Sequence, residues 1–335
     1  MVAMLERPRF VQAAAGYAES SPGNLEGLTM ASQDADATRT DQLQFQNPKT
    51  RYPSIEPPEQ TQPEPGLDAE MMPKADIGEF SYRGTGRLEG RKALVSGGDS
   101  GIGAAVAVAF AREGADVAIT YLPQEEEDAQ NVARIIRDSG RQAVTLPGDL
   151  TDAAFCREVV EQAVEQLGGL NILVNNAGKQ IVAESLEELP DEQVEQTYQA
   201  NILAMFRTTR AALPHLPAGA TIINSTSIQA YQPSPDLIDY ASTKAAINAF
   251  TKGMAMQLAD KGIRVNAVAP GPIWTPLQPS KGQPIEELPE FGKDTALGRA
   301  GQPTELAPAY VFLASPESSY VLGSTIHVNG GKPSP

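Results

Sequence analysis

Tyr240 and Lys244 stand four residues apart in "DYASTKAAINAF", residues 239–250. On a helix this spacing stacks a phenol and an ammonium on one face, a turn apart. An unperturbed tyrosine has a pKa of about 10 and is a poor base at neutral pH. A cation within about 4–6 Å favours the phenolate. Lowering the phenol by about three units takes roughly 4 kcal/mol of differential stabilisation. The pair is therefore a candidate proton-transfer device. The plain alternative is packing and solvation, because isolated Y-x-x-x-K spacings are common on helices.

A second stretch, "VSGGDSGIGAAVAVAF", places Gly97, Gly101 and Gly103, with Ser100 and Ile102 among them, between an apolar run and a helix-like run. Glycine there permits a tight turn, close approach of a pyrophosphate and close helix–strand packing. Free N–H groups and the positive end of the helix dipole would hold the anion. The G-x-x-x-G-x-G spacing differs from the common G-x-G-x-x-G fingerprint, and alone it also fits a simple βα turn. Where the next apolar run closes, Thr120 and Tyr121 occupy the position at which an acid favours NAD and a base favours a 2′-phosphate. The missing acid favours NADP(H) over NAD(H). The acids at 125–127 read as the opening of the following helix.

The elements that must hold these residues begin near residue 87. "KALVSG", "DVAITYL", "QAVTLPGDL", "NILVNNAG", "ATIINSTS", "IRVNAVAPG" and "STIHVNG" are short apolar runs alternating with helical patterns. This predicts an α/β, doubly wound, mostly parallel sheet of Rossmann type, with its ligand crevice at the carboxyl ends of the strands. Residues 87–335 form this single dinucleotide-binding and catalytic domain. Seven prolines between Pro48 and Pro73 make 48–86 an extended N-terminal arm, free or laid across a folded surface. Residues 1–47 read as a disordered leader whose deletion leaves fold and activity. Met30 is a candidate alternative start.

With 335 residues, 41% hydrophobic content and a net charge of −16, the chain can bury a large core and has no basic block for nucleic acid or an anionic membrane. Cys156, the sole cysteine, allows no intrachain disulfide and reads as a core-facing thiol. His215 and His327 lack nearby ligand partners, so no structural metal is expected. No apolar run approaches membrane-spanning length and "MVAMLERPRF" has no apolar centre, which together predict a cytoplasmic protein.

The glycine loop, "NNAG" at 175–178, "YASTK" at 240–244 and "PG" at 270–271 occur in one order. Together they make residues 87–331 resemble the short-chain dehydrogenase/reductase family. The proline-rich arm, "GGDSGIG" and "YLPQEEEDAQ" resemble its general stress protein and glucose or ribitol dehydrogenase-like subgroup. The resemblance implies that Tyr240 is the catalytic acid/base, Lys244 its partner, Ser227 the catalytic serine and Asn201 the support of a proton-relay water. It implies that Asp149 and Leu150 meet the adenine and that Asn176, Ala177 and Gly178 turn beside the cofactor. Pro270, Gly271, Ile273 and Thr275 would then bind the cofactor, Thr275 at the nicotinamide carboxamide, with Tyr240 and Lys244 beside it and Lys244 on the nicotinamide ribose. Ser96 replaces the usual threonine of the loop, and Ala104 stands where the subgroup often has arginine, which removes one phosphate contact.

Gln180 and Gln229 closely follow these motifs and are candidate substrate contacts. Trp274 reads as packing or as a substrate-lid contact, and 275–294 as a lid. The function implied is hydride transfer between nicotinamide and a small carbonyl or alcohol: a sugar, polyol, aldehyde or ketone. The alternatives are a 3-oxoacyl thioester reductase and a non-catalytic dinucleotide sensor. A homotetramer or homodimer is expected.

Overall fold

The computed structural model describes residues 41–333; of the leader expected over residues 1–47, residues 1–40 lie outside them, while Asp41 and Gln42 bond Arg83 of the arm. Each apolar run becomes a strand: β1 (Lys92–Ser96), β2 (Asp116–Tyr121), β3 (Ala143–Pro147), β4 (Ile172–Asn175), β5 (Thr221–Ser225), β6 (Arg264–Pro270) and β7 (Thr325–Val328). All seven pair in parallel, in the order β3-β2-β1-β4-β5-β6-β7. The winding reverses between β1 and β4. Crossovers there leave opposite faces and open a crevice above the strands' carboxyl ends. The doubly wound expectation holds.

Alternation along the strands decides which helix layer each residue meets. Val95, Ile119, Val174 and Ile223 join the core beneath α1 (Gly101–Arg112), α2 (Glu126–Asp138) and α7 (Pro303–Ala314). Leu94, Ala118, Leu173 and Ile222 face the opposite layer, which includes α3 (Phe155–Leu167) and α5 (Ala204–Ala212). Burying each such aliphatic side chain stabilises the fold by about 1.5–3 kcal/mol. α1 is buried almost all round because it lies between the sheet and α7, hence its unbroken alanine and valine run. α4 (Asp191–Tyr198) runs into α5 through a single π-turn, Gln199–Leu203. α6 (Ile238–Leu258) carries the tyrosine–lysine pair.

The arm lies across its own domain. Trp274 is fully buried among Ile55, Met71, Leu288 and Ala300, and its Nε1 donates to the Pro73 carbonyl at 2.7 Å. Arg299 donates to the Pro48 carbonyl while paired with Glu305. Asp128 of α2 accepts from the N–H groups of Asp68 and Ala69. Glu113, fully buried, accepts from Tyr82, Thr85 and Arg87, and these bonds hold its carboxyl at about 2 against the effect of burial. The proline-rich composition forbids helix and central strand. It does not forbid an extended segment that bonds point by point to a surface.

Candidate active site

The phosphate-type loop connects β1 to α1. Gly97 has a left-handed φ of +61°, and a Cβ on Gly103 would fall 1.7 Å from the Gly97 carbonyl oxygen, so the close turn requires glycine at both positions. Ser100 starts α1 without a side-chain capping bond, so the first-turn N–H groups are open to an anion. Gly101 N–H instead meets the arm's Asp68 carboxylate at 3.3 Å. The serine in the threonine position keeps the loop bonded. Ser96 Oγ accepts from the N–H groups of Asn176 and Ala177 at 2.9 and 3.1 Å and donates to the Val174 carbonyl. Asn176 Nδ2 donates to the Gly97 carbonyl at 3.2 Å, tying the turn after β4 to the loop after β1.

These groups open onto a cleft of about 1560 Å³. It is lined by Gly97, Ser100, Gly101, Ile102, Tyr121, Asp149, Leu150, Asn176, Ala177, Gly178, Pro270, Gly271, Ile273 and Thr275, together with Ser227, Tyr240 and Lys244. Gly103 and Asn201 sit behind the wall. The volume and the amide-bearing helix start fit a dinucleotide, whose adenosine end would lie at β2 and whose nicotinamide end would lie at Tyr240.

At the Tyr240 end, α6 and the loop after β5 converge. Ser227 hydrogen-bonds to the Tyr240 phenol, and its Oγ also accepts from Gln229 N–H at 3.1 Å. Lys244 Nζ lies 5.2 Å from the Tyr240 ring centre and donates to the Ser225 carbonyl at 3.1 Å. Asn201 lies in the π-turn. Its Oδ1 accepts from Lys179 N–H at 2.7 Å, and its Nδ2 donates to the Lys179 carbonyl at 2.9 Å and to Thr243 Oγ1 at 3.1 Å. Asn201 is buried within this π-turn, an irregularity of the kind frequent at functional sites.

The spacing suggests a phenol lowered by its lysine together with the charge of an oxidised nicotinamide; in the protein by itself burial pushes Tyr240 up to about 12, only partly offset by the Ser227 bond. Burial likewise pulls Lys244 down to about 8. Desolvation is the leading cause for both groups, and the Lys244 ammonium has one of its donors on the Ser225 carbonyl.

The structure does not bring Trp274 to the cleft; it is a packing residue against the arm. Gln180 lines the cleft but donates to the Gly282 carbonyl, and Gln229 is held by Ser234. Cys156 is buried and its Sγ donates to the Leu150 carbonyl, with burial pushing the thiol up to about 11. His215 bonds Glu161 and His327 packs on Tyr231. Among the described residues no group of His, Cys, Asp or Glu could hold a metal ion, and no helix is long and apolar enough to cross a membrane.

Sequence reasoning missed three features. Glu64, Pro65 and Gly66 of the arm line the cleft. Lys179 joins them, paired with Glu64 at 2.7 Å. Asp99 and Glu125 flank Tyr121 at the β2 end, where burial pushes Asp99 up to about 7 and Glu125 up to about 8. The aspartate inside "GGDSG" was a signal for the last of these. Nothing in the arm's composition marked its place.

Residues 97–332 match the family model described as enoyl-(acyl carrier protein) reductase. The chain belongs to the short-chain dehydrogenase/reductase family. It is 57% identical over 288 residues to an uncharacterised Escherichia coli oxidoreductase, YghA, covering 86% of this chain and 98% of that one. It is 44% identical to a Daucus carota protein named glucose and ribitol dehydrogenase, covering 82% and 96%. A Burkholderia cenocepacia short-chain dehydrogenase, crystallised in complex with NADP, superposes with a TM-score of 0.68 at 36% identity, covering 73% and 98%. This short-chain dehydrogenase/reductase is an oxidoreductase with a nicotinamide-type cleft.

Proposed function

We propose that the chain interconverts a small polar carbonyl and its alcohol, with open-chain sugars and polyols as the substrate class. The observation that carries this is the convergence of Ser227, Tyr240 and Lys244 at one end of a cleft whose other end has the glycine-loop start of α1. A bound nicotinamide dinucleotide supplies or takes the hydride. Ser227 Oγ donates a hydrogen bond to the substrate oxygen, an oxyanion-hole function. The Tyr240 phenol, protonated at neutral pH, gives its proton to that oxygen as charge develops there. Lys244 supplies positive charge behind the phenol, and Asn201 holds the Lys179 peptide that borders the site.

Gln180, Gln229, Gln232, Gln278 and Gln283 line the same cleft and suit a polyhydroxylated substrate. The name of the Daucus carota relative supports this class. The family model's description favours a second reading, a thioester-linked acyl substrate. Against it, Glu184, Asp236, Glu287 and Glu290 on the cleft wall would repel an acidic carrier protein.

For the cofactor we propose NADP(H), supported by the Burkholderia complex. The raised pKa values keep Asp99 and Glu125 partly neutral at pH 7, which lessens repulsion of a 2′-phosphate. A homotetramer or homodimer is proposed on the exposed apolar side chains of Leu203, Phe206 and Met256, and light scattering that reports a monomer refutes it.

The deciding test is turnover of sugars, polyols, simple aldehydes, ketones and a 3-oxoacyl thioester with both nicotinamide cofactors. Activity on aldoses or polyols is expected. Activity confined to the thioester installs the second reading, and inactivity on the whole panel with tight dinucleotide binding installs a sensor.

A further inference from the structure

The cleft is lined by three lysines, no arginine and nine carboxylates among the described residues. Each lysine is already engaged. Lys244 serves the Ser225 carbonyl behind Tyr240, Lys332 pairs with Asp294, and Lys179 pairs with Glu64 at 2.7 Å. The Lys179–Glu64 pair differs from the others in position. The Lys179 peptide is clamped on both sides by Asn201, next to Gly178 and Gln180. Its ammonium thus starts from a fixed point beside the reacting groups. Its partner comes from the arm, 115 residues away in sequence.

Both side chains are about a quarter exposed, at 24% and 28%, so the pair sits at the rim with weaker screening than open solvent gives. Glu64 is itself held. The next residues seat Gly66 against the Pro276 carbonyl, where a Cβ would come within 2.5 Å, and Gln62 N–H donates to the Pro279 carbonyl at 2.9 Å.

We propose that Glu64 determines substrate charge: by masking Lys179 it makes the cleft reject anionic carbonyl compounds, such as sugar phosphates, and accept neutral ones. A phosphate or carboxylate arriving at the rim meets a carboxylate first and finds no free ammonium. Repulsion of the wrong ligand is as effective a route to selectivity as attraction of the right one. Without Glu64 the same lysine becomes an anion anchor.

The proposal rests on the carbonyl-reductase reading, so its test uses a matched pair: glyceraldehyde and glyceraldehyde 3-phosphate, with NADPH as donor. The parent reduces the neutral aldehyde and discriminates against its phosphate. Glu64→Gln raises kcat/KM for the phosphate roughly tenfold while the neutral aldehyde changes less than about twofold. Adding Lys179→Gln removes the gain. An unchanged ratio between the two aldehydes in Glu64→Gln, or an equal loss on both with a lower melting temperature, overturns the proposal and leaves the pair a structural tie. If the parent is inactive on this pair, an aldose active in the panel and its phosphate replace it; a parent inactive on the whole carbonyl and polyol panel overturns the carbonyl reading, and this proposal with it.

Discussion

At one end of the cleft, Lys244 is a lone buried cation beside Tyr240. At the other, Asp68, Asp99, Glu125 and Asp128 crowd the starts of α1 and α2, and burial and mutual repulsion push Asp68 up to about 7. Burial acts on both ends, in opposite directions on the proton: it strips Lys244 toward neutrality and keeps the carboxyls protonated. The low dielectric therefore sets the protonation of both ends. The first end should control turnover and the second affinity.

The sharpest way to break that division is Tyr240→Phe. Turnover should fall by roughly 10²–10⁴-fold, the usual range for loss of a general acid, with dinucleotide affinity unchanged in a fluorescence titration. A variant that keeps its turnover removes Tyr240 from the reaction, and one that loses affinity instead dissolves the division between the ends.

A smaller effect belongs to the carboxyls. Raising pH from 6 to 9 ionises Asp99 and Glu125, so NADPH binding should weaken relative to NADH binding by several-fold, on the order of 1 kcal/mol. Asp99→Asn should flatten the trend. Parallel pH profiles for the two cofactors would place the 2′ group elsewhere.

The same carboxyls also act on stability. Asp68, Asp99 and Glu125 keep protons in the folded chain at pH values where unfolded carboxyls, with pKa of about 4, have lost theirs. The folded state therefore binds more protons between about pH 4 and 8, and stability falls as pH rises through that window. The melting midpoint should be lower at pH 8 than at pH 6, with a shallower slope in Asp99→Asn. A midpoint that rises across this range would mean that the cluster is ionised throughout.

The two ends also differ in how far the sequence exposed them. Tyr240 and Lys244 share a helix, so their spacing reports contact directly. The strands were legible because a sheet buried on both faces is apolar along most of its length, as Leu94 and Val95 show by facing opposite layers. The acids at the β2 end went unseen because they arrive from four separate places: the arm, the glycine loop, the turn after β2 and α2. Their convergence is a tertiary fact. Spacing likewise encodes the proximity of Tyr240 to Lys244 but not the desolvation of either group. Trp274 had two readings, and only the arm's path over it decides for packing.

The arm's seat on Trp274 sets where this protein can be cut or recombined. The glycine loop invites a border at Gly90, and a domain grafted from that point would carry every motif residue. It would also leave bare an indole that the parent covers with Ile55 and Met71, and remove one wall of the cleft. The smallest transplantable unit thus begins upstream of the first strand, with a segment that contributes neither helix nor sheet to the domain it completes.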